Sequence, residues 1–538
     1  MSAQDFSTSF QWVPPLDQDC FVWVAPGKDK VLAGRGRSAP YPLFYAWDGT
    51  QLHLASQLVA LAEQQPGYDP DWVLARAHGF LPVDGSTPYK AIRALRPGEV
   101  IAFQPGQPPE TVVAPSLPKL GVKRSQSATS EAQAEDLVNQ AEDLIATAVG
   151  TVVRDSAQPV GIALSGGLDS GIIAGALART LKPDTPVQAF TVGSEADGDQ
   201  DAAEFAQAQA VLGLFGQASH HQISAPEAPL PDILTRLIGS LGDVVSAPLS
   251  AWWLEAMQRK ASDMGCQAVL MGQLGNETIS PKGLNQVSQI EPMSAPFLLL
   301  RLLREIAAVT ETGFARTIYR HYLKQHPAGN VLFRPRTLRA QQALVASYSP
   351  VKADQLSHCF AALFARQGKQ AFADFRTAKA FQFLNAFERL SLRNSSSDGI
   401  PRAPLLLPFA NPALREFCWA LPVDVLIRHG ETRWIARRLY ERFTGLPCPA
   451  QIPAGSQLGN WHDRFVRDKP TYRSALDEVA DVPEVKAFID LERLSRLLEE
   501  ITTDPALLTE QDRVNYTVLV RGLALSLFFA SAQARTVS

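Results

Sequence analysis

Val160-Gly161-Ile162-Ala163-Leu164-Ser165-Gly166-Gly167-Leu168-Asp169-Ser170-Gly171-Ile172-Ile173-Ala174-Gly175-Ala176-Leu177-Ala178 is the stretch on which the fold turns. Five apolar or small residues run into Ser-Gly-Gly, and an apolar, small-residue run resumes directly after Ser170. That order reads as buried strand, tight glycine turn and helix start. Glycines let the backbone approach an anion, and the first helical N–H groups, at the positive end of the helix dipole, point at it. Ser165 and Ser170 add hydroxyl donors, and Asp169 can hold Mg2+ against phosphate oxygens. No Gly-Lys-Ser/Thr follows, so this is not a Walker loop. Residues 165–170 are the first candidate site.

Working outward, Val187-Gln188-Ala189-Phe190-Thr191-Val192 predicts a second strand, with a helix over 202–212 behind it. Strand, helix, strand, helix implies a parallel α/β sheet with its ligand at the carboxyl ends of the strands. Upstream, Ser130 and Gln133 have the spacing of a capping box. Leu137, Ala141, Leu144, Ile145 and Ala148 then fall on one helical stripe. Residues 1–118 instead carry short alternating runs. Asp48-Gly49 predicts a hairpin, and Pro97-Gly98 precedes a strand at Glu99-Val100-Ile101-Ala102-Phe103. Pro, Ser, Lys and Gln dominate 115–130, so 119–130 is expected to link a domain at 1–118 to one at 131–538. Beyond about residue 285 the pattern is mostly helical.

At 538 residues the chain exceeds one compact core. A net charge of −4 with 19% charged residues lacks the basic excess of a nucleic-acid binder. No run of about 18 apolar residues predicts a membrane span. The nearest, 518–532, is interrupted by Arg521 and reads as a buried C-terminal helix. The first residues lack a secretion-signal order. The five cysteines, Cys20, Cys266, Cys359, Cys418 and Cys448, are scattered without metal-ligand spacing, which fits a cytoplasmic location.

The loop at 165–170 resembles the pyrophosphate loop of the ATP pyrophosphatases, and nearly the whole chain resembles asparagine-synthetase-type enzymes. Leu52-His53-Leu54-Ala55-Ser56 and Thr87-Pro88-Tyr89-Lys90-Ala91-Ile92-Arg93-Ala94-Leu95-Arg96-Pro97-Gly98 are similar to runs of the family's glutaminase-type (Ntn) β-sandwich. Such glutaminases use a cysteine at residue 2; Ser2 stands here, so a scaffold without ammonia production is expected. Val269-Leu270-Met271-Gly272-Gln273-Leu274-Gly275-Asn276-Glu277 resembles the signature G-x-G-S-D-E, with Leu274 in place of its second glycine. The resemblance implies Mg2+ held by Asp169 and Asn276, the latter in place of an aspartate, with Glu277 adjoining. It also implies adenine beside Thr191 and Val192, and phosphate contacts at Gly272. Gln273, where relatives carry glutamate or tyrosine, cannot act as a base.

Pro404-Leu405-Leu406-Leu407-Pro408-Phe409, with Gly430-Glu431-Thr432-Arg433 and Gly455-Ser456-Gln457, is similar to enzymes that close the macrolactam ring of lasso peptides. Relatives carry a basic residue at Ala454; Arg433, Arg437 and Arg438 are the candidate replacements, as against a plain solvated helix face. The expected fold is α/β: a glutaminase-like sandwich without its nucleophile, then an ATP-pyrophosphatase parallel sheet with a helical C-terminal part. The expected activity, with ATP and Mg2+, is adenylation of an Asp or Glu side chain in a precursor peptide. The peptide's α-amine then attacks, with Asp169, Glu277 and Arg433 as catalytic residues. A leader peptidase and a leader-binding protein are the implied partners. A small-molecule amide ligase and an inactive scaffold stay open as alternatives. Asp243 reads equally as an acceptor-site or a loop acid. Asp201 and Glu204 complement a helix dipole, Glu305 belongs to an amphipathic helix, and His220-His221 lack a third metal ligand.

Overall fold

The computed structural model describes residues 21–537 apart from 28, 65–66, 79–83, 115–127, 154–157, 193–198, 225, 326–345, 360, 362–374, 396–398 and 450–460. Ser2, Cys20, Ala454 and the run Gly455-Ser456-Gln457, together with most of the expected linker, lie outside the described residues.

The alternating N-terminal runs form two antiparallel sheets. One orders β1 (Val22–Pro26), β2 (Val31–Arg35), β6 (Val100–Phe103) and β7 (Glu110–Val113); the other orders β4 (Leu52–Ala55), β3 (Phe44–Trp47) and β5 (Ile92–Ala94). The hairpin falls where predicted: Asp48 Oδ1 accepts from the N–H groups of Thr50 and Gln51 at 2.8 Å, and Gly49 takes φ +101°. Period-2 patterning places the sheets. Tyr45 and Trp47 face the first sheet, with Trp47 5.4 Å from the Phe103 ring, around a core of Ala33, Leu43, Leu52, Leu95, Ile101 and Phe103. Phe44 and Ala46 point the other way, into the main core with Leu58, Leu61 and Trp72. The N-terminal layers are therefore packed onto the rest of the chain. Buried Arg35 pairs with Glu388 at 2.9 Å, and Tyr89 Oη accepts from Arg535 of the last helix at 2.7 Å.

The larger sheet has five parallel strands in the order β10 (Ala218–Ile223), β9 (Val187–Val192), β8 (Val160–Ala163), β11 (Val269–Met271) and β12 (Leu405–Leu406). Its two edges carry little strand signal: β10 is largely polar and β12 spans two residues. His220 and His221 belong to β10, which follows the helix Asp199–Leu212. Ahead of β8, Ser130 and Gln133 do form the capping box, Ser130 N–H donating to Gln133 Oε1 at 2.9 Å and Gln133 N–H to Ser130 Oγ at 3.2 Å. The buried line of the helix Glu131–Val153 runs through Ala134, Val138, Ala141, Ile145 and Ala148, so the stripe centres beside Leu137 and Leu144 rather than on them.

Counting in chain order, the sheet reads third, second, first, fourth, fifth. The order reverses beside β8, so the crevice outside the carboxyl ends of β8 and β11 is the topological switch point, where such sheets bind ligands. Helices cover the sheet. Leu168–Thr180 meets Trp434–Thr444 through Gly171 and Gly175, where a Cβ would lie 2.8 Å from Tyr440 Cδ2 and 2.6 Å from Phe443 Cβ respectively. These contacts advance together along both helices, so the two run parallel with their N-termini side by side. The helix Glu510–Val537 contains a window long and apolar enough to cross a membrane, but 67% of it is buried in this protein. Val518, Leu519, Leu523 and Phe528 pack into the main core, the role expected from the sequence.

Candidate active site

The loop after β8 is shaped by three backbone-level constraints. Gly166 takes φ +65°, and a Cβ there would lie 2.5 Å from the Glu204 carbonyl oxygen. Gly167 caps the helix in extended conformation (φ −79°, ψ 165°). Leu168, Asp169 and Ser170 precede the first helical bond, Gly171 N–H to Gly167 O at 3.0 Å, so their N–H groups lie ahead of the hydrogen-bonded ladder. The two serines tie the turn together: Ser170 is buried and its hydroxyl donates to Gly167 O at 3.1 Å, while exposed Ser165 has its Oγ 3.2 Å from Ser170 Oγ.

The second motif leaves β11 and lands on the first. A Cβ at Gly272 would lie 2.6 Å from Ser170 N, and one at Gly275 would lie 2.5 Å from Asp169 Oδ1. Both glycines are required by close approach, not by turn conformation. Leu274, between them, takes φ +73° while buried, a left-handed conformation that costs a side-chain-bearing residue roughly 1–2 kcal/mol. This is the physical reason for a glycine in the signature at that position. The turn Gly275–Glu277 is held by Thr278 Oγ1 donating to Leu274 O at 2.7 Å and by Trp419 Nε1 donating to Glu277 O at 2.8 Å.

Asp169 is the electrostatic centre. Burial pushes its carboxyl up to about 6, and Glu277 adds to this, while the Ser280 hydroxyl and the Arg433 guanidinium pull it down. Its Oδ1 and Ser280 Oγ are both buried and lie near each other, but no well-aligned hydrogen bond satisfies either. Two under-satisfied oxygens at a switch-point crevice fit a cation-and-phosphate ligand. Asn276, exposed on the adjoining turn, can supply an amide oxygen beside them.

Arg433 reaches this carboxylate because of the parallel helix pair. It precedes Trp434–Thr444, in left-handed conformation (φ +59°), after the hairpin of β13 (Ile427–Arg428) and β14 (Glu431–Thr432). Among the described residues its guanidinium has no hydrogen bond or ion pair. Arg437 and Arg438 differ: Arg437 donates to the carbonyls of Thr432 at 3.2 Å and Pro449 at 3.0 Å, and Arg438 pairs with Glu441 at 2.8 Å and Glu431 at 3.3 Å. Of the three candidate arginines, only Arg433 offers a free charge to the crevice.

The remaining predicted residues sort by contact. Thr191 and Val192 end β9 beside β8, but the Thr191 hydroxyl is committed, donating to Leu164 O at 2.5 Å with His220 Nε2 2.7 Å away. His220 is stacked on Phe205 at 4.1 Å, and burial lowers its pKa. Among the described residues no cluster of three or more His, Cys, Asp or Glu could hold a metal. Glu305 lies on Pro296–Val309, accepts from Gly430 N–H at 3.3 Å, and shares a helix with the buried face Leu298, Leu302 and Ile306, as the amphipathic reading expects. Asp243 is no surface acid: it is 3% exposed, 3.9 Å from Arg76. Glu277, pushed up by burial and pulled down by Lys379 and Arg389, acts on Asp169 on one side and lines two cavities on the other. Ser280, Lys379 and Arg389 were missed in the sequence. Lys379, Gln382, Ala386 and Arg389 share one face of the helix Phe375–Arg393, flanking the buried line of Phe383 and Phe387, a periodicity that was legible.

Fold and crevice define an α/β domain whose switch point carries a glycine-rich loop distinct from the Walker type, with the backbone N–H groups that can cradle an anion. Residues 140–500 match the family model described as asparagine synthase, and the chain belongs to that family. Its members are ATP-dependent ligases that form AMP and pyrophosphate, so ATP-driven amide bond formation is the general activity that membership supports. No curated protein matches the chain.

Proposed function

We propose that this protein is a macrolactam-forming ligase that activates an Asp or Glu side chain of a precursor peptide freed of its leader. The observation that carries the ligase reading is the convergence of the 165–170 loop, the Gly272–Glu277 turn and the unpaired Arg433 on Asp169. The peptide reading is supported by the resemblance at 404–409 and at 430–433, the latter supplying Arg433. In this reading a leader peptidase and a leader-binding protein act with the enzyme, and the N-terminal sheets serve as a glutaminase-like scaffold.

ATP phosphates lie against the helical N–H groups of Leu168, Asp169 and Ser170 and the Ser165 hydroxyl. Mg2+, held by Asp169 and Asn276, neutralises phosphate charge when bound. A substrate carboxylate oxygen bonds the α-phosphorus as the bond to pyrophosphate breaks. Arg433 stabilises the negative charge on the departing group. The peptide α-amine next bonds the acyl carbon, the carbon–oxygen bond to AMP breaks, and Glu277 accepts the amine proton. Burial keeps Glu277 above the ordinary carboxylate range, which suits it to that transfer. Holding amine and acyl carbon in one site is worth on the order of 7–11 kcal/mol.

The test is incubation with ATP, Mg2+ and a leaderless acidic peptide bearing a free α-amine. The expected product is lighter by one water, with AMP and pyrophosphate released in equal amount. Pyrophosphate release without a peptide product, or asparagine formed from aspartate and ammonia, would overturn the macrolactam reading.

A further inference from the structure

Two cavities meet at Glu277 and Gln382, and the smaller one also reaches Asn276 on the turn beside the phosphate loop. The larger, about 830 Å3, is lined by Arg76, Arg389, Arg513 and Arg521. The smaller, about 520 Å3, is lined by Lys282, Arg320, Lys324 and Lys379. Among the described residues, Glu277 is the one acid lining either. In a chain of net charge −4, such a concentration of one sign is not average surface.

The cations are not paired off within the protein. Arg76 has Asp243 at 3.9 Å. The other seven have no hydrogen bond or ion pair among the described residues. Three of them are also partly desolvated: burial lowers the pKa of Arg389, Arg521 and Lys379, Arg389 adds to the lowering at Arg521 and Arg76, and Lys379 falls to about 8. Like charges held close and away from water destabilise a fold unless an anion completes the site. None of residues 165–170 lines either cavity, and Asn276, on the turn beside Asp169, lines the smaller one alone, so the larger cavity lies apart from the phosphate contacts of the loop. Three separate parts of the chain build the larger cavity: the N-terminal layers give Arg76, Phe375–Arg393 gives Arg389, and the last helix gives Arg521. It therefore exists only in the assembled fold.

We propose that the paired cavities bind a substrate segment carrying several carboxylates, clamped by Arg389 and Arg521 in the larger cavity and by Lys379 in the smaller. One carboxylate is thereby presented past Glu277 toward Asp169. This deepens the ligase reading by naming its substrate as an acidic peptide segment, and rests on that reading only for the presentation step.

The test is fluorescence anisotropy of labelled octaglutamate and octaglutamine peptides on the full chain, with ATP–pyrophosphate exchange run in parallel. Octaglutamate is expected to bind at least about tenfold tighter, with affinity falling as salt rises, and ATP should not displace it. Arg389→Gln and Arg521→Gln should each weaken it about tenfold, and Arg389→Lys should restore part of the loss. Melting temperatures should hold or rise, since each change relieves repulsion between buried like charges. Equal affinity for the two peptides, displacement by ATP or by pyrophosphate alone, or folded variants that bind as wild type would overturn the proposal. Should a variant fail to fold, the peptide comparison, salt series and competition on the wild type decide alone. Acidic-peptide binding without exchange keeps the cavities and removes the ligase reading; exchange without acidic preference does the reverse.

Discussion

Replacing Asp169 with asparagine should make the protein more stable and inactive at once. In an unfolded chain the carboxyl titrates near 3.8; in the fold, burial lifts it to about 6. The native state therefore holds the proton between roughly pH 4 and 6, where the unfolded chain has lost it. Native then binds more protons than unfolded, so stability falls as pH rises through that window. About two pKa units correspond to roughly 3 kcal/mol, reduced to about 2 kcal/mol because the residue is partly reached by solvent. Asp169→Asn keeps the shape and removes the charge. Its melting temperature should exceed wild type by about 2–4 °C at pH 8 without ligand, and the difference should vanish near pH 4. Adding Mg2+ and ATP should raise the wild-type melting temperature and leave the variant unmoved. Differential scanning calorimetry across pH, alongside pyrophosphate exchange, reads both halves. An Asp169→Asn protein no more stable than wild type at pH 8, or one that keeps its exchange activity, would refute the reasoning.

Two further outcomes follow from the same geometry. Gly275→Ala would place a Cβ 2.5 Å from Asp169 Oδ1, about 1 Å inside an ordinary contact, so the carboxylate must move; exchange should drop about 100-fold with little change in melting temperature, and normal turnover would show that Asp169 does not need its present position. Arg433→Ala should lower kcat while the fold keeps its stability, whereas Arg437→Ala, which removes the bonds to the Thr432 and Pro449 carbonyls, should cost stability by about 1–3 kcal/mol; calorimetry and exchange on both proteins separate the roles.

The strand–loop–helix at 160–178, the strand at 187–192, the Ser130 capping box and the Asp48-Gly49 hairpin were legible because each rests on contacts a few residues apart. Local spacing carries such elements: glycine conformation, cap chemistry and the periods of 2 and 3.6. The candidate pair Asp169 and Asn276, and the glycine Gly272, were legible for the same reason, since each lies in a short motif directly after a strand. Which arginine serves the crevice was not. Arg433, Arg437 and Arg438 look alike in sequence, and only the packing of Gly171 on Tyr440 and Gly175 on Phe443, more than 250 residues apart, leaves Arg433 free beside Asp169. Leu274 likewise looked like a lost glycine; the tertiary fold shows a strained left-handed residue held by its surroundings. The cationic cavities were beyond any local reading, because Arg76, Arg389 and Arg521 come from three distant segments. Sequence alone determined that a glycine-rich loop and a helix N-terminus stand at the end of a buried strand. Tertiary structure decided which charges reach it and which stay unpaired, because charge pairing depends on distances of a few ångströms between residues that the chain order keeps far apart.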